Sequence, residues 1–180
     1  MSRDLVITPV EGAAERTEFI HFQWDVYKGD PYWVPPLLSE REKFFDPVDG
    51  HPFHRHAKMR YFLARRDGKP VGRIAAFINY RHNDYWDERS GFFGHFEVLE
   101  DREAAEALLK AAEDFVRSEG MTALRGPMNF STNEEIGLLV EGWNGPPTVM
   151  MTYNPRYYVD FIEKARSEER RVGKECATGC

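Results

Sequence analysis

The chain has 180 residues, a length that fits one domain built around a single hydrophobic core. Apolar residues make up 42% and charged residues 30%, too much hydrophobic material for a disordered chain, yet no run approaches the ~20 consecutive apolar residues of a membrane helix. The formal net charge of −6, with no basic run in the body, argues against a nucleic-acid partner, since binding a phosphate backbone leaves a basic patch or stripe.

In chain order, LVITPV near the start is a β-branched run closed by Pro9 and reads as an edge strand. From 13 to 28, Phe19, Phe22, Val26 and Ile20, Trp24, Tyr27 recur at helical spacing, and Gly29 follows as a stop signal. DPYWVPPLLSE holds three prolines and no regular structure. SEREKFFD after it predicts a short helix capped by Ser39, with Glu42 three residues on. In MRYFLARRDGKPVGRIAAFINY two apolar runs flank Asp67-Gly68, the sequence signature of an antiparallel hairpin. A polar, aromatic link, RHNDYWDERS, leads to a third strand, GFFGHFEVLE. DREAAEALLKAAEDFVRSEG then places Ala105, Leu108, Leu109, Ala112, Phe115 and Val116 on one helical face, with Asp101 as N-cap and Gly120 just past the end. TALRGP, and IGLLVEG or TVMMTY, predict further short strands. Asn154-Pro155 opens a last helix with an N-cap residue and Pro at the first helical position. Three meandering strands followed by strand–helix alternation predict an α/β (α+β layered) domain: a mixed, mostly antiparallel sheet with helices on both faces.

The N-terminus lacks the apolar stretch of a signal peptide, because Asp4, Glu11 and Glu15 interrupt it. Both cysteines, Cys176 and Cys180, lie in the last residues. A body without cysteine suits a reducing compartment, and a cytoplasmic protein is expected. After Ala165 the composition changes. RSEERRVGKEC resembles the in-frame translation of a DNA-sequencing adapter, so residues 1–165 are expected to form the domain and 166–180 a non-native or disordered tail; a frayed, charged terminus is the alternative. The tail carries four basic and three acidic residues, so without it the body is more acidic still.

The element order, with DGKPVGRIAAFINYRHN, SGFFGHFEV, RGPMNFSTNEEIGLLVEG and MMTYNPRYY, resembles the GNAT superfamily of acyl-CoA N-acyltransferases, and within it a bacterial GNAT-like subgroup of uncertain substrate. The resemblance covers residues from about Leu5 to Ala165 and implies an incomplete domain, the N-terminal portion of a longer protein with a second GNAT-like half. It implies acetyl-CoA or another acyl-CoA as co-substrate, no metal, and a small-molecule amine as acceptor.

In the family a glycine-containing loop before the long helix holds the CoA pyrophosphate on backbone amides, anion capture at a helix N-terminus. Here that loop reads VLEDREAAEA, without glycine, and Glu100, Asp101 and Glu103 are of the wrong sign for a pyrophosphate. The resemblance also implies a general base on the third meander strand, where Glu97 is the carboxylate, and main-chain contacts to the acyl-CoA arm around His95, Phe96 and Val98. If the strand alternates, Phe93, His95 and Glu97 share a face. An ordinary strand-end carboxylate in solvent is the plain alternative for Glu97. The family's general-acid tyrosine falls on Ile162, with Tyr158 one turn earlier on the same face as its substitute; a core or rim aromatic is the alternative role for Tyr158. Asn129, Ser131, Thr132 and Asn133 form a dense polar set after a strand, fit either to grip a polar substrate or to cap their own turn. His51, His54 and His56 lie on a Pro-containing loop without a carboxylate in register and read as loop histidines. Beside the N-acyltransferase, two other functions stay open: a non-catalytic GNAT-like module that scaffolds a catalytic second domain, and a small-ligand binding domain built on the polar set.

Overall fold

The hairpin organises the sheet. In the computed structural model, which describes residues 4–131 and 133–165, strands β2 (Ala57–Arg66) and β3 (Lys69–Asn79) pair antiparallel across Asp67-Gly68. Both turn residues take positive φ, 50° and 78°, the backbone that a two-residue turn needs to match the twist of its strands. β1 (Leu5–Pro9) adds to the outer edge of β2, and β4 (Ser90–Val98) pairs antiparallel with β3. The chain then crosses through helix α4 (Arg102–Ser118) and returns as β5 (Ala123–Arg125), parallel to β4, so the strand order is β1-β2-β3-β4-β5. The sheet is open, mixed and mostly antiparallel, as the sequence predicts.

Each face of the sheet buries its own core. On one side α4 lays Ala105, Leu108, Ala112 and Val116 against Ile74, Ala76, Phe93, Phe96 and Val98, and α5 (Tyr157–Ala165) adds Tyr158 and Phe161. Gly91 lets α4 close on the strand, because a Cβ there would overlap the Val116 side chain. On the other side α1 (Ala13–Val26) and α2 (Leu38–Phe44) cover a largely aromatic cluster of Phe19, Phe45, Phe53, Phe77, Phe92 and Phe130. Phe130 is its wedge: fully buried at a strained φ of +70°, it lies flat between Phe44 and Phe53, with ring centroids 5.1 Å away on each side. This wedge fixes the loop after β5 beside β4.

Several local expectations are corrected. The link after β3 contains a helix, α3 (Tyr80–Trp86), started by the Asn79 side chain, which accepts the His82 N–H, and stopped at Asp87 with φ +51°. It is too short, with Asn83 its buried residue, to show an apolar period. α2 begins after Leu37 without a side-chain cap, which leaves Ser39 inside the first turn. Neither IGLLVEG nor TVMMTY forms a strand; a single bridge joins Met128 and Ile136, and prolines and glycines interrupt the rest. Asn154 does not cap α5. Its side chain accepts the Leu139 N–H at 2.7 Å and donates to the Leu139 carbonyl at 3.3 Å, pinning two loops together. The tail expectation falls on residues 166–180 and Thr132 on position 132, both outside the described residues.

Candidate functional site

β4 and β5 part company early. Their pairing covers Ser90 to Phe92 on β4, and beyond it the β5 side of β4 faces the loop and α5 instead of another strand. A bulge accompanies the separation: the register with β3 shifts between Arg73 and Ala75, opposite His95 and Phe96, and His95 takes φ +45°. The bulge also corrects the alternation. Phe93 packs with α4 together with Phe96 and Val98, whereas His95 packs among Phe44, Phe45 and Phe130 on the opposite face and Glu97 follows it there.

The main-chain groups freed by the separation are met by side chains. The His95 N–H donates to Asn129 Oδ1 at 2.7 Å, the Val98 N–H donates to the Tyr158 hydroxyl at 2.7 Å, and the Val98 carbonyl accepts from the Tyr157 hydroxyl at 2.9 Å. Gly94 is part of this seam, since a Cβ there would collide with the Met128 carbonyl oxygen. Of the residues singled out for the acyl-CoA arm, Phe96 and Val98 therefore point their side chains into the α4 core, and the amides of His95 and Val98 are already engaged.

A cavity of about 120 Å³ opens on the His95–Glu97 face, between α1, α2, β3, β4 and the loops at 127–138 and 147–154. Glu97 and Tyr158 meet at its floor. The Tyr158 hydroxyl donates to Glu97 Oε2 at 2.9 Å, Gln23 Nε2 donates to Glu97 Oε1 at 3.1 Å, and Arg73 Nη2 stands 3.9 Å from the same oxygen. Glu97 is 7% exposed, so it is no strand-end carboxylate in solvent. Burial pushes its pKa up from 4.5 to about 7, with the Arg73 guanidinium and the Tyr158 and Tyr27 hydroxyls opposing the rise. Burial, with the Glu97 charge beside it, holds the Tyr158 hydroxyl protonated. Burial likewise keeps His95 well below its usual value, neutral, with Arg73 and Arg41 adding to the effect.

The polar set divides. Asn129 lines the cavity, accepting from His95 and donating to Glu135 at 3.1 Å. Ser131 Oγ accepts the N–H of exposed Asn133 at 3.3 Å, a bond within their own turn, and neither residue lines the cavity. The three histidines diverge: His51 meets Glu134, His54 meets the Asp46 carbonyl, and His56 packs edge-on against Phe53.

Sequence reasoning missed Gln23, Tyr27, Arg41, Arg73 and Glu135. Arg73 had a signal, a lone charge in the apolar run VGRIAAF, where a residue almost never buried must be paired. It donates from Nη1 to the Phe19 and Ile20 carbonyls at 2.6 and 3.2 Å. The others come from distant elements whose polar residues look like ordinary helix or loop surface.

At the N-terminus of α4, where a pyrophosphate would sit, the Asp101 carboxylate accepts the Ala104 N–H at 3.1 Å and pairs with Arg66, which also reaches Glu103. The helix end is filled by its own side chain, and the residues present do not fit a pyrophosphate there.

The overall fold is shared with solved acetyltransferases. An aminoglycoside acetyltransferase from an uncultured soil metagenomic sample, solved with sisomicin, superposes with a TM-score of 0.53 at 12% identity, over 92% of this chain and 91% of its own. The chain has the GNAT acyltransferase fold. A tandem GNAT protein from the clavulanic acid biosynthesis pathway matches at TM-score 0.51 and 16% identity, over 67% of this chain and 35% of that one. No family model matches the chain. Among curated proteins, a bacterial ceramide synthase of Caulobacter vibrioides is 40% identical over 98% of this chain and 47% of its own length. Protein YghO of Escherichia coli is 34% identical over 81% of this chain and 37% of its length. The chain thus spans less than half the length of these curated relatives. Among the described residues of this GNAT-like domain, no helix is long and apolar enough to cross a membrane.

Proposed function

We propose that the chain is the N-terminal portion of an N-acyltransferase that moves an acyl group from a thioester donor to an amine, with Glu97 as general base and Tyr158 as proton relay. The observation that carries this reading is the buried Glu97–Tyr158 hydrogen bond on the floor of a cavity beside the splayed strand, with the Glu97 pKa pushed to about 7. A base poised near the working pH removes a proton from a bound ammonium or attacking amine most effectively. The amine nitrogen forms a bond to the thioester carbonyl carbon, the carbon–sulfur bond breaks, and the proton lost by nitrogen passes to Glu97. Tyr158 protonates the departing sulfur and recovers its proton from Glu97, so the cycle closes with both groups as they began.

The 40% identity to a protein named as a ceramide synthase supports amide formation as the chemistry, since a ceramide is an N-acylated amine. Val34, Pro36, Pro147 and Met151 are among the residues lining the cavity, Val149 and Met150 next to Met151 in the chain are exposed, and this apolar material suits a long acyl chain. Because the α4 terminus does not fit a pyrophosphate, a CoA donor is expected to be held elsewhere, in a second domain of the longer protein. A soluble, cytoplasmic enzyme is part of the same reading. Incubating the chain with palmitoyl-CoA and a mixed panel of primary amines, and searching by mass for N-acyl products, tests it. New amides that vanish in Glu97→Gln support it, and no product from the chain or from its full-length parent refutes it.

A further inference from the structure

Among the described residues, the buried side-chain polar atoms that find no partner are Arg41 Nε, Arg73 Nε and His95 Nε2. The three residues that carry them all line the same cavity. Arg73 and His95 are 3% and 5% exposed, so water does not answer for them, and a buried donor left unpaired is a substantial cost unless a ligand completes it. Two of the three belong to guanidinium groups, which carry donors and never acceptors. Neutral His95 presents either an N–H or a lone pair. Arg41 comes from α2, its guanidinium carbon lies 5.4 Å from the centroid of the Phe44 ring, and among the described residues its side chain makes no hydrogen bond or ion pair. No carboxylate forms an ion pair with its guanidinium among the described residues, although its charge acts on Glu135 across the cavity, whereas Arg73 is already engaged by the Phe19 and Ile20 carbonyls and stands beside Glu97.

The cavity is therefore bipolar. Glu97 and Glu135 supply negative charge, Arg41 supplies positive charge, and Arg73 Nε adds an unpaired N–H donor. We infer that the acceptor is an amine carrying an oxyanion group, a carboxylate or a phosphate, whose oxygens are received by Arg41, Arg73 Nε and His95 Nε2 while its amine lies at Glu97. The inference rests on the N-acyltransferase reading for the role of the amine; the oxyanion subsite stands on the unpaired donors alone. A plain alkylamine leaves those donors empty, whereas a zwitterion fills both ends at once, and discrimination is large when a site is built to hydrogen-bond a group that the analogue lacks.

Titration calorimetry with matched probes tests the subsite without any turnover. The probes are the L-amino acids against their C-terminal amides, and phosphoethanolamine against ethanolamine. At least one oxyanion-bearing member is expected to bind about tenfold or more tightly than its neutral counterpart. Preference in the first set assigns a carboxylate and in the second a phosphate. In Arg41→Gln the preference is expected to collapse toward unity, and in Arg41→Lys to be partly kept; circular dichroism and melting of both variants establish that they fold. No preference in either set, or a preference that survives Arg41→Gln in a folded protein, overturns the inference. A transfer assay with the same pairs separates the two readings: oxyanion-selective binding without transfer leaves the subsite standing and removes the acyltransferase, and transfer without selectivity does the reverse.

Discussion

Replacing Glu97 by glutamine should make the protein more stable at neutral and alkaline pH and, under the proposed mechanism, abolish acyl transfer. The folded-state pKa of Glu97 is raised from 4.5 to about 7 by burial, so between those values the folded state binds more protons than the unfolded state. Stability contributed by the neutral carboxyl is fully present below about pH 4.5 and is lost as pH rises through 7. At 1.36 kcal/mol per pKa unit the loss amounts to about 3 kcal/mol above pH 7. Glutamine imitates the neutral form. Its carbonyl can accept from Tyr158 at the Oε2 position, and its amide group faces Gln23, which can turn its own carbonyl inward to receive it. Urea denaturation of wild type and Glu97→Gln at pH 5, 6, 7 and 8 should give curves that diverge with pH, the variant gaining up to about 3 kcal/mol at pH 8, or several degrees in Tm for a chain of this size. Parallel pH dependences, or a variant less stable at every pH, would refute the assignment of Glu97 as a buried, uptitrated carboxyl.

Tyr158→Phe removes a hydroxyl that both donates to Glu97 and accepts the Val98 N–H, leaving a buried donor unpaired; a loss of about 1–3 kcal/mol is expected by urea denaturation. The same change removes a bond that holds the Glu97 pKa down, so the rising limb of the pH–rate profile should move to higher pH, and a limb that stays or falls speaks against the pair. Gly94→Ala drives a methyl into the Met128 carbonyl, and a cost of about 1–3 kcal/mol with weakened ligand binding is expected in a combined melting and titration experiment. Asp101→Ala removes the α4 cap and the Arg66 pair, and should cost about 1 kcal/mol in denaturant without altering the pH limb set by Glu97.

The fold was legible where one local rule decided an element. Asp67-Gly68 announces the hairpin, and Ala105, Leu108, Ala112 and Val116 announce α4, because turn chemistry and helical period are written in adjacent residues. What misled the reading was a single extra residue: the bulge at His95 turns Phe93 to the α4 side, and nothing in GFFGHFEV marks it beyond two glycines. The strands expected at 136–142 and 148–153 failed because their apolar residues meet no neighbouring strand and are held through Asn154 instead. Glu97 and Tyr158 were singled out through the family resemblance, but their contact was not foreseen, since they are sixty-one positions apart and their bond depends on α5 docking across the splay. Arg41 and Gln23 illustrate the remaining limit: a polar residue on an amphipathic helix looks like solvent surface until the tertiary fold places a cavity in front of it.

In the proposed mechanism Glu97 takes a proton from an amine during acyl transfer. The direct measurement is the pH dependence of amine-dependent thiol release from an acyl-CoA by wild type and by Glu97→Gln. The wild-type rate is expected to rise through an apparent pKa of about 7, and the variant to be slowed by about 10²–10⁴-fold with that limb gone. A variant that keeps the wild-type rate and the same limb would contradict the proposed mechanism.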